Sequence, residues 1–281
     1  MIDSIVSFRT NPITGEPVVF APERAERPRA FGEEDSARCP FCPGHESDTP
    51  PQIVSCGEPW RVRIFPNKFP PLPLAEVIVE SPEHRATFDR IEHGAEVVAA
   101  YVERYRAHDR VPYTAVFKNE GPRGGASIPH VHSQVIPVRF TPPRIANEGA
   151  GFLRGASCPL CGELDGTIIG GNESFAWLAP KGSKMPYQQW LVPRRHMGEM
   201  SELTSREIDD LAAMLRIASR AMLTIADSYN WMFLNFPRQT SAHWYVDLFP
   251  RVTSIAGFEL GTGTFVEIVD PAAAAERLRQ S

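Results

Sequence analysis

Apolar residues along this chain alternate between two periods, and the changes of period mark out its elements. Short runs rich in β-branched and aromatic residues read as strands at 17–20, 60–65, 76–80, 113–118 and 130–138. Residues 91–108 hold no proline and set Val97, Val98, Tyr101, Val102 and Tyr105 at helical spacing, which predicts a helix. The same order then recurs. Strands are expected at 174–178, 188–192, 231–235 and 243–249, with a helix from Thr204 to about residue 227 between the second and third. Glu207 stands three residues after Thr204, the spacing of a capping box. Pro271 opens a last helix over 271–279, where a missing N–H costs nothing. A Gly- and Ala-containing stretch at 144–157 separates the copies, so the chain divides into halves 1–145 and 146–281.

A second repeat lies on this one. The first half carries Cys39-Pro-Phe-Cys42, then His84 and His130; the second carries Cys158-Pro-Leu-Cys161, then His196 and His243. The intervals between the histidines are nearly equal, 46 positions from His84 to His130 and 47 from His196 to His243. Two thiolates and two imidazoles make a closed tetrahedral shell, which is the usual form of structural zinc. The histidines lie far downstream of the cysteines, so strands must carry them back. Two zinc ions per chain are expected. One would sit on Cys39, Cys42, His84 and His130, the other on Cys158, Cys161, His196 and His243. A redox role for the cysteine pairs is disfavoured, because neither precedes a thioredoxin-like βα unit. The fifth cysteine, Cys56, reads as a small buried apolar residue.

Composition changes the picture only at its edges. A net charge of −5 over 281 residues argues against a nucleic-acid binder. No apolar run approaches the length of a membrane span, and the N-terminus lacks a basic-then-apolar signal pattern. A cytoplasmic protein without membrane or nucleic-acid partners is expected, and a homodimer remains open.

The halves differ at two positions that bear on chemistry. After its last metal ligand the first copy adds His132, whereas the second has Tyr245. Gln134 follows in the first copy and Asp247 in the second. Residues two apart on a strand share a face, so His130, His132 and Gln134 are expected on one surface. The glycine-bearing loop 120–127 stands beside them, and free amides in such a loop can hold phosphate oxygens. His132 is placed to attack phosphorus; Gln134 can hydrogen-bond phosphate oxygens without carrying a proton.

These residues carry a resemblance. Pro22-Glu-Arg24-Ala-Glu-Arg27-Pro, Cys39-Pro-Phe-Cys-Pro-Gly44, Phe65-Pro-Asn67-Lys-Phe-Pro, Lys118-Asn119-Glu-Gly, His130-Val-His-Ser-Gln134 and Ala256-Gly-Phe-Glu259 resemble galactose-1-phosphate uridylyltransferases, of the histidine-triad superfamily. The doubled Cys-x-x-Cys is similar to the two-zinc branch that includes plant ADP-glucose phosphorylase. The resemblance implies an α/β (α+β) fold of two histidine-triad-like halves, a mainly antiparallel sheet with helices packed on it. It implies that His132 is the catalytic nucleophile, assisted by Gln134. Arg24, Arg27, Asn67, Asn119 and Gln134 would contact nucleotide or phosphate, together with Gly125 and Ser127 of the loop. The second half would be non-catalytic. The chain departs from the pattern at Val131, where many members have proline, at Ala126-Ser127, where many have Cys-Ser, and at Leu260-Gly-Thr-Gly-Thr-Phe265, which lacks a galactose-specific glutamine.

The expected activity is exchange of a nucleoside monophosphate between a nucleotide sugar and a sugar 1-phosphate through a nucleotidyl-histidine, with UDP-glucose and a hexose 1-phosphate as the leading pair. An ADP- or UDP-glucose phosphorylase is the enzymatic alternative. A hydrolase is disfavoured, because Gln134 cannot act as a general acid. A non-catalytic zinc- or nucleotide-binding protein is the alternative of another class.

Overall fold

The computed structural model describes residues 7–26, 39–164 and 166–281. A small hairpin, β1 (Ser7–Thr10) with β2 (Pro17–Phe20), stands apart from the main sheet. That sheet has ten strands. The first five are β3 (Val54–Cys56), β4 (Val62–Pro66), β5 (Glu76–Val79), β6 (Tyr113–Glu120) and β7 (His132–Val138). The other five are β8 (Ile168–Gly171), β9 (Phe175–Leu178), β10 (Gln189–Pro193), β11 (Tyr229–Leu234) and β12 (Tyr245–Pro250). Their spatial order is β3-β4-β5-β7-β6-β11-β12-β10-β9-β8, and every pairing is antiparallel. The order reads the same from either edge, with β6 and β11 meeting at the centre. The mixed, mainly antiparallel architecture expected from the sequence is therefore the one observed.

Alternation along the strands gives the sheet two different faces. One face is covered by α1 (Gly94–Ala107) and α4 (Ser205–Leu223), which pack on each other. Ile78, Val116 and Val135 join Val97, Leu211, Leu215 and Trp231 in this core. The helix begins later than its periodicity suggests. A 3₁₀ turn, Phe88–Arg90, buries Phe88 edge-on against Trp231 and leaves Ile91 extended, so α1 starts at Gly94. In α4, Thr204 and Glu207 form the expected capping box, and the helix ends at Leu223, short of residue 227.

The opposite face differs between the two sets of strands. Over the second set lies α2 (Pro143–Phe152), which crosses the expected junction at 145 and 146; the Gly- and Ala-containing stretch is thus helical at its start. Ile145 and Phe152 pack there with Leu234 and Phe236. The short α3 (Pro159–Glu163) follows, and the chain closes through α5 (Gly257–Thr262) and α6 (Pro271–Arg279). Over the first set of strands the described residues leave a cavity on the corresponding face. Among the described residues no helix is long and apolar enough to cross a membrane.

Candidate active site and metal centres

The cavity, about 620 Å³, is floored by β4, β5, β6 and β7 and walled by the loops 39–50 and 67–71. His132 and Gln134 project into it from β7, with Phe117 and Asn119 from β6 and Val77 from β5. Its walls are mostly apolar, with a few polar groups at one end, the usual make-up of a small-molecule site. His130 does not share this surface. The strand begins at His132, and the His130 ring turns to Cys39, with Cys39 Sγ 3.5 Å from His130 Nδ1.

Hydrogen bonds to carbonyls assign the tautomers of both rings, because a carbonyl can only accept. His130 Nε2 donates to Ser81 O at 2.7 Å, which leaves the Nδ1 lone pair toward the cysteines. His132 Nδ1 donates to His130 O at 2.7 Å, so in the neutral ring Nε2 is the nitrogen that carries the lone pair. Phe41 sets its ring against that of His132, 5.3 Å between centroids. Gln134 is buried with its Oε1 unpartnered among the described residues, the mark of a polar group kept for a ligand.

The two asparagines offer donors. Asn67 Oδ1 accepts from Phe69 N at 2.9 Å, and Asn119 Oδ1 accepts from Asn230 Nδ2 at 2.8 Å, so each has its NH₂ end for the cavity. Ser127 is buried in the cavity wall. Arg24 lines the cavity while donating to Phe69 O at 3.0 Å; burial pushes its guanidinium below the ordinary value but leaves it charged. Arg27 lies outside the described residues. Gly125 adopts φ +87° and does not line the cavity. Its amide donates to Pro122 O and that of Ala126 to Gly121 O, so these two amides close the loop rather than standing free.

Both groups of cysteines and histidines assemble, the donor atoms of each within 4.8 Å of one another. Thiolate and imidazole bonds of about 2.3 and 2.0 Å around a tetrahedral ion put neighbouring donors roughly 3.3–3.8 Å apart. In the first group Cys42 Sγ lies 3.3 Å from His84 Nδ1 and 3.6 Å from His130 Nδ1. In the second, Cys158 Sγ is 3.8 Å from His243 Nδ1, and Cys161 Sγ is 3.3 Å from His196 Nδ1 and 3.5 Å from His243 Nδ1. The spacing and the donor set both fit one metal ion per group. Burial, with Cys42 alongside, pushes the Cys39 thiol up to about 11, and burial lowers His130 to about 4. The Cys39 thiol therefore needs a cation to ionise, while the His130 imidazole is already in its ligating form. Cys39 and His130 are buried, whereas Cys161 and His196 are exposed.

The residues matching the cavity in the second set of strands are occupied. Arg144 of α2 pairs with Asp247 at 2.7 Å, Gln188 Nε2 donates to Asp247 Oδ1 at 2.6 Å, and Tyr245 OH donates to Glu148 Oε2 at 2.8 Å. This face holds a closed polar network under a helix, where the first face holds a cavity.

Sequence reasoning had no role for Arg63, Glu80 and Lys118. Arg63 alternates with apolar neighbours as an outward-facing residue would, yet it is 1% exposed. Its guanidinium reaches Thr49 Oγ1 at 3.1 Å and Pro40 O at 3.4 Å, tying the metal loop to β4. The available signal was charge inside strands that are otherwise apolar.

Residues 86–281 match a family described as a domain of unknown function, DUF4921. The chain is a DUF4921 protein of the galactose-1-phosphate uridylyltransferase-like family. It is 26% identical to the ADP-glucose phosphorylase of Arabidopsis thaliana, across 97% of this chain and 92% of that protein. It is 25% identical to the galactose-1-phosphate uridylyltransferase of Thermotoga maritima, across 99% of both. The solved structure of an Arabidopsis thaliana ADP-glucose phosphorylase with bound ADP-glucose superposes with a TM-score of 0.82 at 26% identity, over 98% of this chain and 99% of that one. These relatives are enzymes.

Proposed function

We propose that this DUF4921 chain transfers a nucleoside monophosphate from a nucleotide sugar to an acceptor phosphate through a covalent bond to His132. The observation that carries the reading is the tautomer lock. His130 O holds the Nδ1 proton of His132, which makes Nε2 the ring nitrogen that would attack, and the ring lines the cavity. Nε2 forms a bond to the α-phosphorus, and the bond from that phosphorus to the bridging oxygen breaks, its electron pair leaving with sugar 1-phosphate. An oxygen of the acceptor phosphate then bonds phosphorus, and the N–P pair returns to Nε2. Splitting one displacement between two anions into two steps at a neutral nitrogen is what covalent catalysis offers here. Asn67, Asn119, Ser127 and Gln134 are the hydrogen-bonding groups around the phosphates, with Arg24 as the cation.

Zinc fits both four-donor groups, held by Cys39, Cys42, His84 and His130 and by Cys158, Cys161, His196 and His243. When bound it supplies a rigid cross-link that fixes the segment before His132. The second half is non-catalytic, with Tyr245 and Asp247 engaged by α2. UDP-glucose with a hexose 1-phosphate is the leading substrate pair. ADP-glucose with inorganic phosphate is the second reading, favoured by the doubled Cys2His2 group and by the likeness to ADP-glucose phosphorylase.

Incubation with UDP-glucose and with ADP-glucose, followed by intact mass spectrometry, tests this. The expected result is one nucleoside monophosphate per chain, stable in base and labile in acid, and absent from His132→Gly. A panel in which no nucleotide sugar leaves an adduct on metal-replete protein, or an adduct that survives His132→Gly, removes the reading.

A further inference from the structure

The antiparallel registers put the two sets of strands in one-to-one correspondence. Gln134 faces Val77 and Phe117, and Asp247 faces Trp190 and Met232. Counting from these pairs, Ser133 corresponds to Val246, Lys118 to Phe233, and Glu80 to Pro193. These residues sit in the helix-covered core, directly behind the cavity. On the second side that core is apolar, as its depth requires. On the first side it holds an ion pair: Lys118 Nζ lies 2.7 Å from Glu80 Oε2, both side chains fully buried. Glu80 Oε1 also accepts from Tyr101 OH and Ser133 Oγ. Glu120 Oε2 stands 3.4 Å from the same ammonium. An apolar pair in such a place is as stable as a buried ion pair, or more so, and the second set of strands shows that this fold accepts one.

The charged version does something the apolar version cannot. Three successive residues, His130, Val131 and His132, are each held by it or by the chain next to it. Ser81 O accepts from the His130 ring at 2.7 Å, Glu80 N donates to Val131 O at 3.2 Å, and Lys118 Nζ donates to His132 O at 3.2 Å. On the second side the contacts to the two following residues do not recur. Pro193 has no N–H and Phe233 has no side-chain donor, while the buried His243 ring stays beside the Pro193 and Arg195 main chain. Both sides keep four metal donors, so the clamp does not go with the metal. It goes with His132.

We propose that Lys118, with Glu80 as its counter-ion, is a positioning residue that holds the main chain of His132 so that Nε2 meets the α-phosphorus in line. This rests on His132 being the nucleophile. The ring is fixed from one side by the His130 carbonyl and the backbone from the other by the ammonium, which leaves the nucleophile few ways to turn.

The test compares wild type with the double variant Lys118→Met/Glu80→Leu, which removes both charges of the fully buried pair together and leaves the partly exposed Glu120 to lose the ammonium. The expected variant folds, keeps the wild-type metal content and binds a nucleoside monophosphate with unchanged affinity. Its rate of adduct formation falls on the order of 100-fold, the usual cost of displacing a reacting group by about 1 Å. A crystal structure of the variant shows the His132 carbonyl and ring moved. Adduct formation at the wild-type rate, or a His132 that stays in place, overturns the proposal. So does a double variant that loses its fold or its metal, since the pair would then serve stability. A wild type that forms no adduct refutes the nucleotidyl-transfer reading instead, and the position of His132 in the variant crystal still decides the role of Lys118.

Discussion

His130 and His132 are two positions apart and do opposite things with the same ring, because each gives a different nitrogen to a carbonyl. His130 gives Nε2 to Ser81 O and turns Nδ1 to the cysteines; His132 gives Nδ1 to His130 O and lines the cavity. Sequence spacing put both on one strand face, which the structure corrects, since the strand starts only at His132. The two Cys2His2 groups that could hold metal were legible because they are written twice. Arg63, Glu80 and Lys118 were not, because a charged residue in a strand reads as solvent-facing until the layers above it are known. Gln134 carries the prediction at this scale. Its amide lines the cavity, with Oε1 buried and unpartnered among the described residues, and its NH₂ is the donor that a phosphate oxygen would meet. Gln134→Ala should lower turnover by roughly 10²–10³-fold, the range for removing one preorganised donor from developing charge. Steady-state kinetics against a nucleotide-binding assay checks it: a fall in affinity with turnover unchanged would make Gln134 a ground-state contact only.

At the scale of elements, capping chemistry was read correctly and a helix was missed. Thr204 and Glu207 start α4 as their spacing requires. The α2 helix lies where Gly149 and Gly151 argue against one, since glycine weakens a helix interior. A close approach explains Gly149: Gln239 Nε2 donates to its carbonyl at 2.7 Å, and a Cβ there would come within 2.7 Å of Gln239 Oε1. Tertiary packing overrides local propensity in α2; in α4 the two agree. The Arg195 guanidinium, ahead of the opposing effect of burial and of the Thr204 bonds, holds Glu207 down to about 2. Its folded value is below the ordinary carboxylate value of about 4.3. The stabilisation is therefore complete above about pH 4.3 and is lost as pH falls toward about 2. Thr204→Ala should cost ~1 kcal/mol at neutral pH, the typical loss of an N-cap. Glu207→Gln should flatten the acid limb of stability between about pH 4.3 and 2. Urea unfolding across that range measures both, and an unchanged acid limb in Glu207→Gln would place the pH dependence elsewhere.

At the scale of the whole molecule, two metal groups of unequal burial sit on a single sheet. The first, with Cys39 and His130 buried, should release metal more slowly to a chelator than the second, with Cys161 and His196 exposed. Metal-replete protein should hold two equivalents of zinc by elemental analysis, and timed chelation should remove them in two phases. The slow phase should coincide with loss of adduct formation, and simultaneous loss of both ions would contradict the ordering. The halves also depend on each other through the centre of the sheet. From Val116 to Glu120, β6 is paired with β11, Phe88 rests on Trp231, and Tyr101 on Phe233. Cut away, the first half would present β6 as an unpaired edge and α1 as a bare apolar face, which a soluble monomer avoids. The residues proposed to be catalytic all lie in that half, yet the polypeptide 1–145 should not fold as a monomer. Circular dichroism and gel filtration of 1–145, alone and co-expressed with 146–281, decide the point. A folded, monomeric 1–145 that accepts a nucleotide on His132 would show that the second half is dispensable; recovery of structure and adduct only on co-expression is the expected result.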